Sequence, residues 1–197
     1  MALLRLNQSG LGGRGSIIRT GLVLAGLALS SLFAPEAPAA TPVVREYQIE
    51  AIFLFNFAQF VDWPPEAFSG PGDPLVIGIL GNDPFGAYMD EAVRGERVND
   101  RPIVIRRFAR VEDITTCHIL FISRSESARL DQILGRLKGR SILTVSDIDD
   151  FNQSRGMIRF VIEKNKIRLR INLGAAKSAG LKISSKLLRP AQIVSRR

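Results

Sequence analysis

Three short runs of apolar residues, each closed by turn or helix signals, restrict this chain more than any other feature. Leu75 to Leu80 (LVIGIL) lies between Pro74 and Gly81. His118 to Ile122 (HILFI) and Ser141 to Val145 (SILTV) repeat the pattern. A continuous apolar run of this length marks a strand buried on both faces, as in a parallel sheet. Between the runs lie helical stretches. A helix is expected over Pro84 to Val93, capped by Asp83 with Pro84 in the first turn. A second, amphipathic helix is expected over Ser125 to Lys138, with Ala128, Leu130, Ile133, Leu134 and Leu137 facing inward and Gly139 closing it. Ile103 to Phe108 reads as a further strand and Val111 to Ile114 as a short turn. Alternating strands and helices predict an α/β domain with a mostly parallel central sheet flanked by helices.

The pattern then changes. Met157 to Glu163 and Lys166 to Ile171 alternate with period two, placing Ile158, Phe160 and Ile162 on one face and Ile167, Leu169 and Ile171 on the matching one. Lys164 and Asn165 form the turn, so a C-terminal antiparallel hairpin is expected, with Lys166, Arg168 and Arg170 on its wet side. Glu163 is expected to pair with Lys166 or a nearby arginine. Leu173 to Ala179 reads as a helix capped by Gly180, and Ser184 to Val194 as a final, largely helical element. Near the other end, Val43 to Val61 reads as one long helix. Its second half, Ala51 to Val61, is apolar on nearly every side and is expected to be buried all round; Pro64 and Pro65 stop it.

The first 39 of the 197 residues form an export signal in this reading. Arg5, Arg14 and Arg19 precede the apolar segment Gly21 to Phe33, and Ala37-Pro38-Ala39 supplies the small residues a signal peptidase accepts. Only 16 residues separate Arg19 from Glu36, against the ~20 apolar residues of a spanning helix. Residues 40–197 are then a single domain of 158 residues, enough for one core. Its formal charge falls from +8 to +6. Basic charge is scattered, with Arg106, Arg107 and Arg110 the densest cluster. In an exported chain it points to solubility and acidic partners, and nucleic acid is not expected.

The catalytic inventory is thin. His118 is the single histidine and Cys117 the single cysteine. Adjacent strand residues point to opposite faces, which makes them a poor dyad, and they cannot supply the three or four ligands of a metal site. No enzyme activity, metal or cofactor is therefore expected, and Cys117 is read as a packed thiol. Open α/β sheets place ligands at the carboxyl ends of their strands. Asn82 and Asp83, after the first strand, and Asp147, after the fourth, are the candidate ligand-binding residues. Asp147, Asp149 and Asp150 together suggest either solvated, capping loop residues or a cation pocket. Asn56 is assigned a structural, loop-bracing role, and Trp63 a place as a core plug.

Several segments, in order, resemble the YfiR family. They are Ala51 to Pro64 (AIFLFNFAQFVDWP), Gly78 to Gly86 (GILGNDPFG), His118 to Ser123 (HILFIS), Ile142 to Asp147 (ILTVSD), Gly156 to Ile158, Ile171 to Leu173, and Ser184 to Leu188 (SSKLL). Together they span nearly all of residues 44–194. The resemblance implies an α/β protein of the periplasm, often a homodimer, that acts by binding. The best understood member restrains an inner-membrane diguanylate cyclase through its periplasmic sensory part, lowering cyclic-di-GMP output and biofilm formation. An outer-membrane-associated lipoprotein sequesters that repressor. The disulfides of that member cannot form here, because Cys117 has no cysteine partner in the chain. A small-ligand sensor built on the carboxyl-end loops is the alternative.

Overall fold

The computed structural model describes residues 42–194; the expected export signal lies outside them. Helix α1 (Pro42–Phe60) runs into a two-residue strand β1 (Val61–Asp62). Then follow β2 (Leu75–Leu80), α2 (Ala87–Ala92), β3 (Arg97–Val98), β4 (Arg101–Phe108), β5 (Ile119–Ile122), α3 (Leu130–Arg136) and β6 (Leu143–Ser146). The chain closes with β7 (Ile158–Glu163), β8 (Lys166–Asn172), α4 (Leu173–Ser178), β9 (Lys182–Ile183), α5 (Ser185–Leu188) and β10 (Gln192–Val194).

Eight strands form one sheet in the order β10-β8-β7-β6-β5-β2-β4-β3. The run β4-β2-β5-β6-β7 is parallel, and so is the β8-β10 pair. β7 and β8 make the antiparallel hairpin, with Ile158 opposite Ile171 and Phe160 opposite Leu169. Lys164 and Asn165 both adopt positive φ, 52° and 57°, the conformation that matches a two-residue turn to strand twist. The pairing of Glu163 is with Arg170. β1 and β9 form a separate antiparallel pair.

Two apolar layers sandwich the sheet. On one face, Leu54 and Phe57 of α1 pack with Ile79, Phe121, Val145, Ile158, Phe160 and Ile171. On the other, Leu130, Ile133 and Leu137 cover Leu80, Leu120 and Ile122 together with Phe151. Gly78 is part of this second layer. A Cβ there would lie 2.8 Å from the Cys117 Sγ and 2.9 Å from Phe108, so only glycine lets the cysteine pack against the central strand.

Four expectations need correction. The second half of α1, from Ala51, is not buried all round: Ile52 and Gln59 are exposed, because the helix covers the sheet with one side only. α2 begins at Ala87 rather than Pro84, since Gly86 has φ of 55° and cannot be helical. The helix expected from Ser125 opens as a 3₁₀ segment, Arg124–Arg129, and becomes α-helical at Leu130. Ser184 to Val194 divides into α5 and the edge strand β10, with Pro190 between them, where a helix could not continue.

Candidate functional site

The loops after β2 and β6 meet the N-terminal half of α1 at Tyr47, through Phe85 and Asp147, and Arg124, after β5, joins them by binding Asp147. In the loop after β2, Gly81 takes φ of +87° beside Ser125 and Glu126. The Asn82 backbone N–H donates to Ser125 Oγ (3.0 Å), and the residue itself is exposed. Asp83 uses Oδ1 to accept from the N–H groups of Phe85 (2.7 Å) and Gly86 (3.2 Å). Its Oδ2 pairs with Arg107 Nε at 2.7 Å. Arg107 reaches on to Asp90 (2.6 Å), and the arginine hydrogen bond holds the Asp90 carboxyl below its ordinary range.

The loop after β6 is built differently. Ser146 Oγ donates to the Ile122 carbonyl and accepts from the Ile148 N–H, closing the loop against β5. Asp147 is thereby buried, at 3 % exposure. Its Oδ2 accepts from Arg124 Nε (2.7 Å) and from the Tyr47 hydroxyl (3.1 Å), while Oδ1 has no partner. One turn along α1 lies Glu50, at 0 % exposure, with both carboxylate oxygens unpartnered among the described residues. A buried carboxylate without partners is costly, and the group responds by holding its proton. Desolvation first, then the negative charges of Asp147 and Glu46, push Glu50 up to about 9 against the weaker opposing pull of Arg124. Desolvation and Asp147 raise Tyr47 to about 12, and desolvation also raises Glu46.

Asn82, Asp83 and Asp147 thus occupy the carboxyl-end loops but share no partner. Asp83 is committed to Arg107 and to its own turn; Asp147 is committed to Arg124 and α1. Asp149 pairs with Arg159 and is itself exposed. Tyr47 links the two loops, since its ring meets Phe85 edge-on at 5.8 Å while its hydroxyl bonds Asp147. Glu50, Tyr47, Glu46 and Arg124 were missed from the sequence. A signal was present: Glu50, Leu54, Phe57 and Val61 fall on one helical stripe, so a glutamate stands in a buried apolar register.

The remaining candidates lie outside this cluster. His118 is 1 % exposed. Its Nδ1 accepts from the Val76 N–H at 3.0 Å, which assigns the proton to Nε2, 3.1 Å from the Ala67 carbonyl. Phe68 stacks on the ring at 4.3 Å, and Arg101 caps Phe68 at 3.8 Å. Burial lowers the His118 pKa. Trp63 is half-buried and donates from Nε1 to the His118 carbonyl at 3.1 Å. Cys117 is buried on the opposite side of the strand, and desolvation pushes its thiol up to about 12. Asn56 is half-buried on α1. Among the described residues, no three His, Cys, Asp or Glu side chains gather as metal ligands, and no helix is long and apolar enough to cross a membrane.

This arrangement clamps α1 to the sheet through Tyr47 and Asp147, and burial favours the protonated form of Glu50. Both His118 nitrogens are occupied by backbone groups, so the histidine offers no free base. No curated protein matches the chain. The family model described as YfiR/HmsC-like matches residues 47–192, from Tyr47 in the clamp to Gln192 in β10. The chain therefore belongs to the YfiR/HmsC-like family.

Proposed function

We propose that this protein is a periplasmic regulator that binds and restrains an inner-membrane signalling enzyme of the diguanylate cyclase type, lowering cyclic-di-GMP output. Family membership over residues 47–192 carries the reading. The export signal expected in residues 1–39 supports the reading, since export would bring the protein to the compartment where the sensory part of such an enzyme is exposed. It acts by occupancy of a partner, not by catalysis and without a cofactor, consistent with a His118 whose nitrogens are committed and a Cys117 thiol held protonated. An outer-membrane lipoprotein competing for the same protein would relieve the restraint, and self-association as a homodimer belongs to the same reading.

The test is deletion of the gene with measurement of cyclic-di-GMP. A rise in the nucleotide, reversed by the intact gene, supports the proposal. Unchanged levels, together with no membrane cyclase captured by periplasmic crosslinking, sink it.

A further inference from the structure

The sheet face opposite α1 is covered only in part. Its apolar layer of α3 and Phe151 closes over β2, β4 and β5. Towards β7, β8 and β10 the same face forms a groove of about 1450 Å³. Strand register sets Ser146, Arg159, Arg170 and Gln192 in one row across four strands. Arg159 and Arg170 are therefore directly opposed like charges, an arrangement that destabilises a sheet unless something compensates. Each guanidinium has one terminal nitrogen held, Arg159 by Asp149 and Arg170 by Glu163. The Nε–H of each is buried and has no acceptor among the described residues. A buried donor left without an acceptor is destabilising.

Two further properties say what fits. Five basic residues and two acidic ones line the groove, so it carries a net positive charge. Its walls also present Leu134, Met157 and Val194. The volume exceeds the roughly 300–1,000 Å³ of ordinary small-molecule pockets, and the groove reaches the edge strand β10. Paired arginines ask for carboxylates, the walls ask for apolar side chains, and the size asks for a stretch of chain.

We propose that this groove docks an acidic, apolar-containing segment of a partner polypeptide, with its carboxylates on Arg159 and Arg170 and its apolar side chains on Leu134 and Val194. The inference rests on the regulatory reading only for whose segment it is. A partner carboxylate on the remaining terminal nitrogen of each guanidinium would add charge-assisted hydrogen bonds beside those to Asp149 and Glu163.

The experiment is calorimetric titration of the purified protein with a short peptide alternating Glu and Leu, its Lys–Leu counterpart, free glutamate and inorganic phosphate. Saturable binding of the Glu–Leu peptide alone is expected, weakening with salt. Arg159→Gln combined with Arg170→Gln should weaken it at least about tenfold. Lys138→Glu, on the exposed rim, should weaken it less and keeps the test valid if the double variant fails to fold. Equal binding of the Lys–Leu peptide, indifference to the rim reversal, or no binding at all overturns the proposal. So does full displacement by glutamate or phosphate, which would mark a small-anion site. No cyclase is present in the assay, so a negative result leaves the deletion phenotype of the regulatory reading untouched.

Discussion

The two faces of the sheet treat charge in opposite ways. Under α1, Glu50 is carried into the interior with no partner, and the environment moves its proton affinity. On the opposite face, Arg159 and Arg170 stay charged at the edge of an open groove. The difference lies in what covers each face. A helix seated over the strands removes water and leaves protonation as the cheapest response. A face left open keeps its guanidiniums, whose high proton affinity rules out that response, and each takes a carboxylate partner instead, Asp149 for Arg159 and Glu163 for Arg170.

The largest test of this contrast removes packing under the helix. Phe57 is fully buried and stacks on Phe160 at 5.9 Å. Phe57→Ala should destabilise by about 3–5 kcal/mol in denaturant unfolding. A loss below about 1 kcal/mol would mean that α1 is not the cover described.

Next is the buried acid. Glu50 is raised in the folded state to about 9, above its unfolded value. Its contribution is therefore fully present below the ordinary carboxyl range and is lost as pH rises towards 9. Glu50→Gln should be more stable than the parent at pH 8, by a few kcal/mol, with the gap closing towards pH 5. Parallel stability profiles for the two proteins would break the comparison at its centre. His118, lowered by burial, works the other way. Its stabilisation is present above the ordinary histidine range and is lost as pH falls below it, so His118→Gln should flatten the acid limb of the profile.

A smaller effect concerns Cys117, whose thiol is held protonated at about 12. It should resist alkylation in the native protein and label at once in denaturant; fast native labelling would open the sealed part of the second face. The smallest effect is expected at the groove wall. Leu134 lines the groove and is half-buried. Leu134→Ala should change stability by less than about 1 kcal/mol, and a core-sized loss would show that the groove is closed in solution.

Legibility followed the range of the interaction. LVIGIL and HILFI read as buried strands because burial on both faces removes every polar alternative along the run. The hairpin read correctly because period two and a two-residue turn are local. β3, β9 and β10 were not legible: two or three residues carry no periodicity, and each exists only because a neighbouring strand offers its edge. The site was half legible. Asp83 and Asp147 follow parallel strands, where ligands gather, but their partners Arg107, Arg124 and Tyr47 lie 24, 23 and 100 residues away.

Composition and pattern alone determined the α/β class, the hairpin, the packed cysteine and the family. Those properties depend on residue type and on neighbours within a few positions. Only the tertiary structure decided that Glu50 has no partner, that Asp83 and Asp147 serve separate clamps, and that two arginines face each other across β7 and β8 at an open groove. Each of these is a statement about which surfaces exclude water, and that is settled only when distant segments come together.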